Sequence, residues 1–230
     1  KFLGLILISG LGFSFPVAAA PEAKMGGCQM YPANNIWNTR VDNLPVHQLS
    51  TAWINNIGRN TGFHMDFGSG TWAGGPIGIP YNIVAGSTVT KYYPTFQYAS
   101  ESDKGPYPIP ANPKIEYGSD HHILIVDSET CKLYEIYNAS FSNGKWKGGS
   151  GAIWDLKSNA LRPAGWTSAD AAGLPILPGL VRYEEVLAGR IDHDRSNGAV
   201  RHGGVRGCPI GRRDRHTRSA GVILAAVRHR

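Results

Sequence analysis

The stretch of sequence that decides the fold is HHILIVDSETCKLYEIY, residues 121–137. Residues 123–126 are apolar at every position, which is typical of a strand buried on both faces. The polar triplet SET at 128–130 predicts a turn, and residues 131–137 return as a second strand. The pattern predicts an antiparallel hairpin whose first strand lies in the middle of a sheet.

Shorter elements surround this hairpin. Gly and Pro recur along the chain and leave only short windows for regular structure, which favours strands joined by long loops. Further strands are predicted at 79–84, 89–98 and 151–156, with Pro94 restricting part of the second to a sheet edge. Short helices are predicted at 50–57, capped by Ser50, and at 180–187. The expected fold is a mainly-β single domain, a β-sandwich or jelly-roll-like fold with two or three short peripheral helices.

The two ends of the chain differ from its middle. Residues 1–20 carry one Lys, an apolar run and three consecutive Ala, the pattern of a secretory signal peptide, so 28–193 is expected to form the secreted domain. Residues 194–230 hold nine Arg, no Lys and no aromatic residue. A nucleic-acid-binding arm is one explanation of this tail. We favour a frameshifted tail, because the rest of the chain shows no nucleic-acid feature.

Three cysteines bear on the compartment. Cys208 lies in the arginine-rich tail, which leaves Cys28 and Cys131 as the natural disulfide pair of an exported protein; two buried free thiols are the alternative. No stretch after residue 20 is apolar for long enough to cross a bilayer. The chain is therefore expected to be secreted or periplasmic, with no membrane contact after signal cleavage.

Several segments carry a resemblance to other proteins. They are ESDKGPYPIP (101–110), GSGAIWDL (149–156) and RPAGWTSADAAGLP (162–175), together with WNT (37–39) and DFGSG (66–70). In these segments the chain resembles a group of bacterial secreted proteins of unknown function. The resemblance spans roughly residues 31–193 and ends at Asp194. It implies no catalytic residues.

Carboxylates are the first candidates for chemistry. A glycoside hydrolase needs two, one acting as acid and the other as base or nucleophile. Asp66 precedes a Gly-rich loop and Asp155 lies near a strand end, so both are candidates. Glu135 shares a strand face with Leu133 and Tyr137, and burial there would raise its pKa as a general acid requires. The structural alternatives are turn capping for the two aspartates and an ion pair for Glu135.

Aromatic and histidine side chains are the second candidates. Exposed rings stack on sugar faces, which makes Trp72, Trp146, Trp154 and Tyr107 candidate substrate-binding residues, with core packing as the alternative. A histidine such as His64 could act with a tyrosine in a lyase, or it could be structural. No histidine or cysteine spacing is typical of a metal site, and no cofactor motif is present, so neither a metal nor a cofactor is expected.

The sequence leaves three functions open. The leading hypothesis is a secreted, monomeric enzyme of the hydrolase or lyase type acting on polysaccharide or cell-wall glycan. The alternative is a non-catalytic secreted carbohydrate-binding or surface protein. The third is an L,D-transpeptidase-like cysteine enzyme using His202 and Cys208, whose motif lies in the arginine-rich tail.

Overall fold

The computed structural model describes residues 24–39, 44–60 and 70–188, and the elements below lie within them. The predicted signal peptide (1–20), the arginine-rich tail (194–230) and the His202–Cys208 motif lie outside the described residues. The helices are α1 (Ser50–Ile57) and α2 (Tyr183–Ala188), with 3₁₀ turns at Ala99–Glu101 and Leu177–Gly179. The strands are β1 (Lys24–Met25), β2 (Cys28–Gln29), β3 (Thr71–Trp72), β4 (Gly75–Pro76), β5 (Tyr81–Val84), β6 (Lys91–Tyr92), β7 (Thr95–Phe96), β8 (Tyr107–Pro108), β9 (Ile123–Asp127), β10 (Lys132–Tyr137), β11 (Ser140–Ser142), β12 (Lys145–Gly148) and β13 (Ser150–Asp155).

The main sheet has four strands in the order β13-β10-β9-β5. Strand β9 pairs antiparallel with β10 and parallel with β5, and all five of its residues are buried. The hairpin predicted at 121–137 and its central first strand are therefore confirmed. The parallel β5–β9 pair closes a long crossover that contains β6, β7 and β8. The prediction of a mainly-β domain with short helices is confirmed.

Both faces of this sheet are covered. On one face Leu124, Val126 and Leu133 pack in a cluster with the N-terminal segment around Met30 and the C-terminal segment around Leu177. On the other face the alternate residues pack with the segments that contain β8 and β12. The sheet is thus the middle layer of the domain, because side chains alternate between its two faces and most of them are apolar.

The turn between β9 and β10 is held by side-chain bonds and by the disulfide. The Asp127 carboxylate accepts hydrogen bonds from the backbone N–H of Gly86 and Glu129 and from the Thr130 hydroxyl. Cys131 follows at a positive φ of 55° and is bonded to Cys28, with the two Cα atoms 5.4 Å apart. The predicted Cys28–Cys131 pair is confirmed, and it joins β2 to the tip of the central hairpin.

The outer edge of β13 is closed by a loop. Asp103 donates its N–H to the Gly151 carbonyl and accepts the Ile153 N–H on its carboxylate at 2.8 Å. The Ser102 hydroxyl accepts the Gly151 N–H at 3.2 Å. These hydrogen bonds satisfy backbone groups of β13 that would otherwise be unpaired at an open sheet edge.

A smaller sheet has the order β11-β12-β7. Its β11–β12 hairpin turns through Asn143 and Gly144, both at positive φ (51° and 75°), which is the conformation of a type I′ turn. The Asn-Gly pair between alternating residues is a strong hairpin signal, and it is the signal in 140–148 that could have predicted these strands.

The other predicted elements are present with shifted bounds. The strand predicted at 89–98 is interrupted at Pro94 and becomes β6 and β7, which lie in different sheets. Helix α1 has the predicted bounds, but Ser50 is its first helical residue and Leu49 takes the N-cap position, so the predicted cap is wrong. The second helix starts at Tyr183, three residues later than predicted, because Leu180, which follows the 3₁₀ turn Leu177–Gly179, is extended (φ −76°, ψ 136°).

Candidate functional site

Three of the predicted site residues cannot be placed. Asp66 and His64 lie in 61–69, outside the described residues, and the side chain of Trp72 on β3 is also outside them. The hypothesis that Asp66 pairs with Asp155 therefore stays a prediction.

Glu135 is the most deeply buried carboxylate of the described chain. It is 0% exposed on the β10 face that Leu133 and Tyr137 share, as its sequence position predicted. Its Oε1 accepts the backbone N–H of Ile176 and Leu177, both at 2.9 Å. Its Oε2 accepts the indole N–H of Trp154 at 3.1 Å.

Burial raises the pKa of Glu135 to about 7, although the bonds from Leu177, Ile176 and Trp154 act in the opposite direction. A pKa near neutrality suits a general acid. However, a reacting group must reach its substrate, and both oxygens of Glu135 are occupied and closed off. Its described contacts instead anchor the 176–177 segment to the sheet.

Asp155 is exposed at the end of β13. Its Oδ1 accepts the Lys157 N–H at 2.9 Å, the turn capping that was the structural alternative for this residue. Asp155 is aligned with Lys132 of β10, three residues from Glu135, and strand alternation directs the two side chains to opposite faces. Glu135 and Asp155 therefore do not form an acid–base pair across one cleft.

The remaining predicted aromatic residues are in the core. Tyr107 is 0% exposed, and its hydroxyl donates to the Asp103 carbonyl at 2.8 Å. Trp146 and Trp154 are each 7% exposed; Trp146 packs on Phe141 with ring centroids 5.0 Å apart. A buried ring cannot stack on a sugar, so the structure gives these three side chains a packing role in the described conformation.

His122 also has structural partners. Alternation buries His122 and leaves His121 exposed. The two His122 ring nitrogens contact the Glu116 carboxylate at 2.5 Å and the Ala169 carbonyl at 3.1 Å. Burial lowers the pKa of His122, but the bond and charge of Glu116 outweigh burial and raise it above its ordinary value. No group of three or more His, Cys, Asp or Glu residues suited to a metal ion occurs within residues 24–39, 44–60 and 70–188.

Arg162 is a central residue that the sequence did not single out. Its guanidinium lies 5.4 Å from the Trp154 ring centroid and 5.5 Å from that of Trp166. It forms an ion pair with Asp103 and donates to the Glu101 carbonyl at 2.9 Å. The segments 101–110, 149–156 and 162–175, which carry the family resemblance, thus meet here, and packing and hydrogen bonding account for many of their residues.

Tyr31 lies in the same core cluster as Trp154. Its φ of 68° is unusual for a bulky residue, and Asn38 holds the bend by donating to the carbonyls of Met30, Tyr31 and Pro32 at 2.9–3.2 Å. Burial, followed by the charges of Glu135 and Asp155, raises the pKa of Tyr31. Its hydroxyl therefore stays protonated and can act as a hydrogen-bond donor.

One face of the small sheet is an exposed polar surface. We call it the lysine face; its five exposed residues are Thr95, Ser140, Ser142, Lys145 and Lys147. Lys147 is aligned with Ser140 on one side and Thr95 on the other, and Lys145 is aligned with Ser142. Phe141 is aligned with Trp146, so both rings lie on the opposite face of the sheet. Trp146 is buried there, while Phe141 at the sheet edge is 53% exposed. The sequence signal for this surface is SFSNGKWK (140–147), in which polar and aromatic residues alternate on both sides of the Asn-Gly turn.

Comparison of the chain with protein-family models, curated proteins and solved structures found no match in any of the three. No helix in the described ranges has the length and apolar character needed to span a bilayer.

Proposed function

We propose that this chain is an exported protein that binds a polysaccharide or cell-wall glycan. The supporting observation is the composition of the β11–β12 hairpin: hydroxyl and ammonium donors form the lysine face, and the exposed Phe141 ring lies on the other face of the edge strand β11. Donors combined with an aromatic ring suit sugar hydroxyls and sugar faces. The Cys28–Cys131 disulfide is consistent with an oxidising compartment.

The test is a binding screen of the full chain against a panel of immobilised glycans, comparing the parent with Phe141→Ala. Phe141→Ala should weaken binding several-fold, because it removes the exposed ring. Tyr183→Ala is the matched control, since Tyr183 is an exposed aromatic residue (71%) on α2. Binding to no glycan in the panel, or equal loss in both variants, would contradict the proposal.

A glycan-cleaving enzyme is the second candidate, with Asp155 and Asp66 as acid and base. The observation that favours it is the exposed Asp155 carboxylate, whose Oδ2 makes no hydrogen bond to a described residue and whose charge acts on the Tyr31 phenol. This candidate differs from simple binding in requiring turnover.

Turnover is measured as released reducing ends and as absorbance of unsaturated products. Asp155→Asn removes the ionisable carboxylate and should therefore abolish product formation. Its side-chain oxygen can still accept the Lys157 N–H, so the turn should be kept and glycan binding should persist. Asp120→Asn, at an exposed aspartate elsewhere, is the control. Product formation that survives Asp155→Asn would exclude Asp155 from the chemistry.

A further inference from the structure

The lysine face carries positive charge without any negative charge. All five of its side chains are exposed, and none is acidic. Within the described part of the chain, neither Lys145 nor Lys147 has an ion-pair partner. Two unpaired cations on one rigid face are available to an external anion.

This charge is local. Residues 1–193 contain nine Lys and five Arg against fifteen acidic residues, so the domain as a whole has almost no net charge. Screening at physiological ionic strength limits the reach of a surface charge to about 8 Å. An anion attracted by Lys145 and Lys147 must therefore lie on the face itself.

The spacing of the cations indicates a repeating ligand. Lys145 and Lys147 are two residues apart on β12, so their Cβ atoms are separated by roughly 7 Å along the strand. Each has a hydroxyl-bearing neighbour across the sheet, at about 5 Å between Cβ atoms. The face thus repeats a cation and a hydroxyl along β12, which a linear chain with regularly placed acidic groups and hydroxyls can match.

We propose that the lysine face binds a linear polysaccharide bearing carboxylate groups, lying along β12 with its carboxylates at Lys145 and Lys147. The inference rests on the proposed function, since it assumes a glycan partner, and it adds the acidic class and the place of contact. The hydroxyls of Ser140, Ser142 and Thr95 contribute hydrogen bonds to the sugar.

Residues 194–230 complicate any affinity measurement, because their nine arginines attract every polyanion. They contain no lysine, however. Lysine acetylation followed by mass spectrometry therefore reports only on residues outside this tail. Polygalacturonate should slow acetylation of Lys145 and Lys147 several-fold and leave the exposed Lys104 and Lys132 unchanged. A fully methyl-esterified form of the same polymer should protect none of the four.

Affinity of the full chain gives the second readout, compared only between variants that all carry the same arginine-rich tail. Lys145→Gln combined with Lys147→Gln should weaken polygalacturonate binding about tenfold, from two lost cation contacts. Lys104→Gln combined with Lys132→Gln removes the same charge elsewhere and should change it less than twofold. The proposal is overturned if both pairs of lysines are protected equally, or if both double variants bind equally well.

The outcomes also separate this inference from the proposed function. In one outcome the chain binds neutral glycans, Phe141→Ala loses this binding, and polygalacturonate does not protect Lys145 and Lys147 from acetylation. This outcome overturns the acidic class of ligand and leaves the proposed function standing. Protection by inorganic polyphosphate but not by polygalacturonate overturns the carboxylate assignment. Binding to no glycan at all defeats the proposed function and this inference together.

Discussion

Glu135 makes the stability of this protein depend on pH near neutrality. The carboxyl group is fully buried, and its pKa is raised to about 7 from an ordinary value of 4.5. The folded protein therefore keeps the Glu135 proton to a higher pH than the unfolded chain does. The resulting contribution to the free energy of unfolding is complete below pH 4.5 and is lost as the pH rises through about 7.

The size of this contribution follows from the difference between the two pKa values. At about 1.4 kcal/mol for each pKa unit, the free energy of unfolding should fall by about 3 kcal/mol between pH 4.5 and 7.5. His122, whose pKa is also raised, adds a change in the same direction. Glu135→Gln removes the ionisable group, so the fall should shrink to the part that comes from the other groups with a raised pKa, His122 and Asp170.

Glu135→Gln also tests which protonation state the folded protein holds. With a pKa of about 7, the parent carboxyl is protonated at pH 5, and its O–H, like a glutamine N–H₂, must face one of the donors Ile176, Leu177 and Trp154. The substitution should therefore change the free energy of unfolding by only about 1 kcal/mol at pH 5. As the pH rises through about 7, the parent loses stability that the variant keeps, so the variant becomes the more stable of the two.

Urea denaturation in steps of half a pH unit, from pH 4.5 to 8, measures both effects. Glu129→Gln is the matched control, because Glu129 is exposed and bonds only to Ser87 and within its own turn. A parent protein whose stability is flat or rises with pH in this range would refute the reasoning. So would an undiminished pH dependence in Glu135→Gln.

Two further stability predictions follow from the fold. Replacing Cys28 and Cys131 together by Ser opens a loop of sequence separation 103, which should lower the free energy of unfolding by about 4–5 kcal/mol, as measured by urea denaturation under non-reducing conditions; an unchanged midpoint would contradict it. Asp103→Asn weakens both the Arg162 ion pair and the hydrogen bonding at the β13 edge, and should lower the free energy of unfolding by about 1–3 kcal/mol. Asp120→Asn is the control and should leave the free energy of unfolding nearly unchanged. Equal effects of the two variants would argue against the edge role.

The sequence by itself determined the local elements of the central hairpin. Four consecutive apolar residues at 123–126 require burial on both faces, and a strand can satisfy this only in the middle of a sheet. The Cys28–Cys131 pair followed from the cysteine count, because the third cysteine lies in the arginine-rich tail. The bounds of α1 followed from a local signal, the glycine after residues 50–57. Such signals depend on neighbours in the chain, which is why they can be recognised without the fold.

The tertiary structure alone decided which polar and aromatic residues are accessible. Glu135 looked like a catalytic acid, but a segment 41 residues further along closes over it. Trp146 looked like a surface ring, but the fold directs it inward and leaves Phe141 beside it exposed. Burial depends on the segments that pack over a residue, and these segments are distant in the sequence. For that reason the strands of the main sheet could be predicted from the sequence, whereas the surface that the strands present to a ligand could not.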